Sequence, residues 1–358
     1  MARIAKNKTP ETGNSALIAR IKAASKLSYT NVLTESLVFE KKESVVTSVP
    51  ALNIALSGDV RGGLNPGILQ ICGPSKHFKS LLGLIVVKSY LEKFPDAVCL
   101  FFDSEFGMPE KYFNSLGIDA SRVIHCPVTN VEEFKFEIME QLSHLQVNDN
   151  VILFLDSLGN LASKKEVDDA LSGSSAADMT RAKQIKSVYR MITPHLSLKK
   201  IPLVVINHIY MEMGLYPKAI VSGGTGSYLS SDNIWIIGRQ QEKDGKELTG
   251  FNFIINIEKS RHVVEKSKIP ISVDFETGLN KWSGLLEIAT ELGHVTKPSP
   301  GWYTRVCVDC DKRFSKDKTN SWEFWKPVFE TSTFLEDVRK TYVVSEGKLM
   351  QNEDEIDG

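Results

Sequence analysis

The sequence predicts an α/β fold, a doubly wound, mainly parallel sheet with antiparallel strands added at one edge. Three observations predict it. Short β-branched runs, apolar on both faces, alternate with helical patterns up to residue 206, as central parallel strands with crossover helices require. After residue 230 the runs are separated by turn residues, Lys243-Asp244-Gly245 among them, which marks hairpins. The two ends differ from the body: a basic stretch precedes it, and an aromatic, polar segment and an acidic tail follow.

The elements follow in order. Residues 1–42 hold eight basic and three acidic residues. Such an end is most often frayed, solvated chain; the alternative is an interaction segment. Residues 68–72 form the first strand. Residues 80–94 are apolar almost all round and make a buried helix. Strands at 97–102, 151–155 and 203–206 and a long helix at 132–145 continue the alternation. Residues 234–240, 251–258 and 271–275 are the antiparallel edge strands, and from Gly301 Trp302, Tyr303, Trp322, Phe324 and Trp325 mark a small appendage. The expected divisions are an N-terminal arm at 1–45, a core at 46–300, an appendage at 301–345 and an acidic tail at 346–358, whose thirteen residues include five carboxylates.

Composition narrows the function. With 42% hydrophobic and 24% charged residues, the 358-residue chain is globular. Its 43 basic and 44 acidic residues exclude tail-driven, histone-like binding of nucleic acid, although not a local basic groove. The longest apolar run, 81–87, is far short of a membrane span, and the first residues lack the apolar stretch of a secretory signal. Five cysteines, three of them in strand-like runs, fit a reduced, cytoplasmic protein.

The first strand runs into Gly73-Pro74-Ser75-Lys76-His77-Phe78-Lys79-Ser80 and then into a helix. This is the context of a P-loop, G-x-x-x-x-G-K-[ST], with Phe78 where the second glycine belongs. Backbone amides at the helix start would hold phosphate, Lys79 would reach the β- and γ-oxygens, and Ser80 would ligate Mg²⁺. An accidental Lys-Ser after a strand is the competing explanation, and two further strands bear against it. Residues 151–155 end in Asp156, placed for the Mg²⁺ shell. Residues 97–102 end in Asp103-Ser104-Glu105, where carboxylates lie in the ligand crevice; Glu105 would polarise an attacking water, with Asp103 its rival. Cys307-Val308-Asp309-Cys310 has metal-ligand spacing but no second pair, so a β-turn without metal is expected.

Together with Gly62-Gly63-Leu64-Asn65-Pro66-Gly67, Phe102-Asp103-Ser104-Glu105, Leu155-Asp156-Ser157, Ile206-Asn207-His208 and Ser222-Gly223-Gly224-Thr225-Gly226, the loop resembles RecA-type recombinases, most closely the subfamily of large tailed bacteriophages, whose own loop carries Phe. The resemblance covers roughly residues 45 to 300 and continues more weakly beyond. It implies a RecA-like P-loop ATPase core and a DNA-dependent ATPase that uses ATP and Mg²⁺. It implies a helical filament of copies on single-stranded DNA, pairing and strand exchange with duplex DNA, and helper proteins for loading and single-strand binding. By the same resemblance Tyr112 stacks on adenine, and His208, where bacterial relatives carry Gln, senses the γ-phosphate and opens the site to pH sensitivity. Lys259 and Arg261 reach the neighbouring subunit's ATP. DNA-binding loops lie at 163–179, with Arg181 behind, and at 209–224, with Tyr210, Tyr216 and Lys218. Leu37-Val38-Phe39 is the expected docking segment of the arm. The rival readings are a hexameric helicase motor on the same core, a metabolic kinase and a mediator without hydrolysis.

Overall fold

The computed structural model describes residues 13–36, 42–147, 149–173, 180–214, 217–244, 247–274, 276, 278–306, 308–331 and 333–344. The chain divides into two units, 1–42 and 43–358. In the first, α1 (Gly13–Ala24) leaves Leu17, Ile18 and Ile21 exposed, and the Lys22 ammonium donates to Asn31 Oδ1 at 2.6 Å. The expected docking segment, residues 37–39, lies outside the described residues.

The second unit begins with α2 (Pro50–Ser57), opened by a proline whose missing N–H costs nothing at a helix start. Then come β1 (Gly67–Cys72), α3 (Lys79–Lys93), β2 (Val98–Asp103), α4 (Glu110–Ser115), β3 (Val123–Pro127), α5 (Val131–His144), β4 (Val151–Asp156), α6 (Lys164–Ser172), α7 (Thr180–Lys199) and β5 (Pro202–Asn207). A ribbon of β6 (Ile209–Met211) and β7 (Ala219–Val221) and the short α8 (Gly224–Ser230) lead to β8 (Asn233–Asp244), β9 (Glu247–Ser260), β10 (Lys268–Asp274) and β11 (Gly278–Leu279). Helix α9 (Leu285–Glu291), a small sheet of β12 (Val295–Ser299), β13 (Trp302–Arg305) and β14 (Asp309–Ser315), and helices α10 (Trp322–Thr331) and α11 (Phe334–Tyr342) follow.

The main sheet has the order β11-β10-β9-β8-β1-β5-β4-β2-β3. From β8 to β3 neighbouring strands are parallel; β9, β10 and β11 are antiparallel additions. Strand β8 is the joint, parallel to β1 through Leu69↔Asn233 to Cys72↔Ile236 and antiparallel to β9. Alternation along each central strand fills two cores. Leu69 and Ile71 of β1, Phe101 of β2, Phe154 of β4 and Ile206 of β5 face one, with Leu82, Val86 and Tyr90 of α3. Ile68, Phe102, Leu155 and Val205 face the other, with Phe134 and Ile138 of α5 and Ile185 and Ile192 of α7. The aromatic residues after 301 do not form a separate core: Phe324, Trp325, Phe334 and Tyr342 join the first cluster.

Three elements depart from expectation. Strand β3 went unread because it is a sheet edge, where the alternation of buried and exposed residues is lost. Much of 163–179 is helix: Ser163 and Glu166 form a reciprocal capping box at the start of α6. Residues 209–224 are paired at the base as a ribbon, Ile209↔Val221 to Met211↔Ala219. Among the described residues no helix is long and apolar enough to cross a membrane.

Candidate nucleotide site and flanking loops

Strands β1, β2, β4 and β5 run parallel, so the segments that follow them meet at one edge of the sheet. The loop after β1 turns sharply into α3, with Lys76 and Phe78 at φ values of 61° and 62°. Phe78 thus adopts the left-handed conformation that a glycine would take without strain. For a bulky residue this costs on the order of 1–3 kcal/mol. Its ring stacks on Phe253 of β9, centroids 5.2 Å apart and planes 19° from parallel, a contact worth about 0.5–1.5 kcal/mol beyond area burial. Arg239 of β8 donates to the Lys76 carbonyl at 3.0 Å and lies over the Phe251 ring at 4.6 Å. Within the loop, His77 Nδ1 lies 2.9 Å from the Ser75 carbonyl, and Lys79 Nζ donates to the Pro74 carbonyl at 2.8 Å. Burial lowers the Lys79 pKa, opposed by the negative charge of Asp156 and Glu105. A buried ammonium at a helix N-terminus, with few competing ligands, suits a phosphate oxygen.

Asp156, at the end of β4, is buried; burial raises its pKa to about 6, Glu105 and Asp103 add to the rise, and the Ser80 hydroxyl and Lys79 oppose it. Its Oδ1 has no hydrogen-bond partner among the described residues. A buried carboxylate beside a serine hydroxyl, with one oxygen unpartnered among the described residues, is a donor set for a hard divalent cation. Ser80 and Asp156 therefore fit Mg²⁺.

The two carboxylates after β2 have separate environments. Asp103 is buried. Its Oδ1 accepts the amides of Glu105 and Phe106 at 3.0 and 2.7 Å, and its Oδ2 meets His125 Nε2 at 3.1 Å. Glu105 is part-exposed. Ser157 Oγ donates to its Oε1 at 2.6 Å, and His208 Nε2 lies 3.5 Å away. The His208 contact, then Ser157 and Lys79, hold the Glu105 pKa near 2 against burial. Asp103 is occupied as a scaffold; Glu105 faces the crevice. The His208 ring packs on Gly159, where a Cβ would lie 2.1 Å from Cδ2. Behind it the Asn207 amide donates to Gln70 Oε1 at 3.0 Å and to the Ser222 carbonyl at 2.8 Å, while Gln70 Nε2 donates to Ser231 Oγ at 2.7 Å. This buried network ties β1 and β5 to α8 and the ribbon. Tyr112 stands on α4; burial first, then Asp156, raises its pKa.

The other predicted residues lie elsewhere. Lys259 Nζ donates to the Tyr228 and Leu229 carbonyls at 3.0 and 2.8 Å, near the end of α8, and Arg261 Nε pairs with Asp232 Oδ1 at 2.6 Å. Neither touches the phosphate loop of its own chain. Arg181, expected behind the first DNA loop, is held within the chain. Its guanidinium donates to the carbonyls of Leu161, Leu158 and Gly159 at 2.5, 3.0 and 3.1 Å, and Nη1 lies 3.5 Å from Ser222 Oγ. It braces the segment under His208, and burial lowers its pKa. Tyr210 and Lys218 are exposed on and beside the ribbon; Tyr216 lies outside the described residues, as do Cys307 and the acidic tail. Ser157 entered the sequence reading only within Leu155-Asp156-Ser157, and His125, Gly159, Phe253 and Arg239 were not anticipated. Gln70 left a signal of its own, an amide in the middle of an apolar strand.

A family model described as the RecA N-terminal domain matches residues 25–280. One described as the C-terminal domain of the bacteriophage T4 recombination and repair protein matches 282–338. The recombination and repair protein of Enterobacteria phage T4 is 45% identical over 347 residues, 95% of this chain and 88% of that protein. Protein RecA of Agrobacterium fabrum is 27% identical, covering 73% and 70% of the two chains. Protein RecA of Ruegeria pomeroyi is 24% identical, covering 82% of each.

Proposed function

This chain belongs to the RecA family, and from that premise we propose that it is an ATP-dependent DNA recombinase that assembles on single-stranded DNA and pairs it with homologous duplex in recombination and repair. The observation that carries the reading is the convergence of Lys79, Ser80, Glu105, Asp156 and His208 at one sheet edge, directly before the ribbon that bears Tyr210.

In this reading Gly73, Pro74, Ser75, Lys76, His77, Phe78, Lys79 and Ser80 wrap the phosphates, and Tyr112 stacks on the base. Glu105 orients the attacking water and takes its proton, Ser157 and His208 holding the carboxylate in place. When bound at Ser80 and Asp156, Mg²⁺ supplies charge neutralisation for the β- and γ-oxygens. His208 stands between Glu105 and β6, so the state of the γ-phosphate would be felt by the ribbon. Tyr210, Tyr216 and Lys218 would meet the strand by stacking and phosphate pairing, which needs no sequence readout.

Lys259 and Arg261, remote from their own loop, would complete the site of a neighbouring copy, giving an open head-to-tail helical filament. The arm would dock on that neighbour. Loading and single-strand-binding proteins would assist, in the cytoplasm where the DNA lies. ATP hydrolysis measured with and without single-stranded DNA tests the proposal. Stimulation by the strand supports it, and turnover indifferent to DNA refutes it.

A further inference from the structure

We propose that Phe253 and Arg239 are positioning residues for the phosphate loop, forming a strut from the edge strands that does the work of the loop's missing glycine. The proposal rests on the reading of residues 73–80 as the nucleotide site. A large side chain persists at positive φ only where its surroundings over-determine it. The loop has two such residues, Lys76 and Phe78, and each is held from outside the loop by a neighbour on β8 or β9. The Phe78 ring lies flat on Phe253, a buried residue of the hydrophobic core. The Lys76 carbonyl accepts from Arg239, whose guanidinium lies over Phe251, and Phe251 in turn touches Phe253, ring centroids 6.0 Å apart. Phe78, Phe253, Phe251 and Arg239 thus form a closed circuit that returns to the loop at Lys76. Through it the amides before Lys79 are fixed by a sheet edge rather than by the intrinsic freedom of a glycine. Neither Phe253 nor Arg239 touches a reacting atom; both act through the shape of the loop.

The dependence is conditional, and that makes it testable. With Phe78→Gly the loop gains a residue that takes positive φ without strain, so the ring of Phe253 should become dispensable. The experiment measures Mg²⁺-dependent binding of a fluorescent ATP analogue to four full-length chains: the parent, Phe253→Leu, Phe78→Gly and the double variant. Leucine keeps the core filled and removes the stack, and circular dichroism checks the fold. In the parent background, Phe253→Leu should weaken binding roughly five- to tenfold, while Phe253→Tyr, which keeps the ring, should bind as the parent does. In the Phe78→Gly background the same leucine substitution should change binding by less than about twofold. Equal loss in both backgrounds, or a folded Phe253→Leu chain that binds like the parent, overturns the proposal alone. Lys79→Ala is measured in parallel. If that chain binds the nucleotide undiminished, the nucleotide reading falls and takes this proposal with it.

Discussion

Arg261 pairs with Asp232 at 2.6 Å just beyond the end of β9, whereas the contact of β9 with the phosphate loop is made by Phe253. From Phe253 to Lys259 is six steps along an extended strand, roughly 20 Å at about 3.4 Å per residue. Lys259 and Arg261 are held there by the Tyr228 and Leu229 carbonyls and by Asp232, well along the strand from the residue that meets the loop. If they complete a nucleotide site, the one proposed is a neighbouring copy's.

The consequence is complementation in mixtures. Lys79→Ala subunits lack the loop cation and keep their Lys259 and Arg261; Lys259→Ala/Arg261→Ala subunits are the reverse. Each alone should be inactive. Mixed equally and assembled at random, about a quarter of interfaces join a good loop to good cations and should recover ATPase activity. No recovery despite demonstrated co-assembly would mean that the two cations do not complete a neighbour's site.

Glu105→Gln should keep nucleotide and DNA binding and lower the hydrolysis rate by about 10²–10⁴-fold, because an amide takes no proton. Asp103→Asn should instead loosen the turn that its Oδ1 holds and lower thermal stability. Normal hydrolysis by Glu105→Gln would remove it as the base.

The Asp156 pKa near 6 gives Mg²⁺-dependent nucleotide binding a pH dependence. Metal needs the anion, so affinity should be nearly constant above pH 7 and fall about tenfold per unit as pH drops well below 6. Binding in EDTA should lack this dependence, and its persistence there would dissociate Asp156 from the metal. The stability sign is opposite. The native carboxyl keeps its proton up to about pH 6, while the unfolded chain releases it near the ordinary 3.8, so this group destabilises the nucleotide-free fold as pH rises through that window.

Gly159→Ala would place a methyl 2.1 Å from the His208 ring carbon. The ring must move, taking its contact with Glu105 along. Hydrolysis and its stimulation by DNA should fall together, as in His208→Ala, with little change in melting temperature because His208 is part-exposed. Full DNA stimulation in a folded Gly159→Ala chain would show that the ring position carries no signal.

Replacing Tyr210, Tyr216 and Lys218 together should weaken single-strand binding with the fold intact, since each lost base stack is worth about 1–3 kcal/mol. Lys218→Ala alone should reduce the salt dependence by about one phosphate contact. An unchanged titration would take the ribbon out of the DNA site.

By itself the sequence determined the layered α/β class and the strand ends that carry Lys79, Asp156, Glu105 and His208. Those signals are local: a doubly buried strand is apolar throughout, and a catalytic carboxylate must follow it directly. It favoured Glu105 and kept Asp103 as the rival, because a single residue, Ser104, lies between them; the hydrogen bonds from the Glu105 and Phe106 amides and His125 that occupy Asp103 appear only in the fold. The resemblance set Arg181 behind the first DNA loop, and the fold adds that its guanidinium is held by the carbonyls of Leu158, Gly159 and Leu161. The sequence missed the edge strand β3, half exposed and so without a clean period. In sequence Phe78 stands where the P-loop pattern has its second glycine, and nothing local says what holds it. Its partner Phe253 stands 175 positions away, and only the pairing of β8 with both β1 and β9 brings the two rings together, because contacts across a sheet are fixed by strand order and register, which no local pattern encodes.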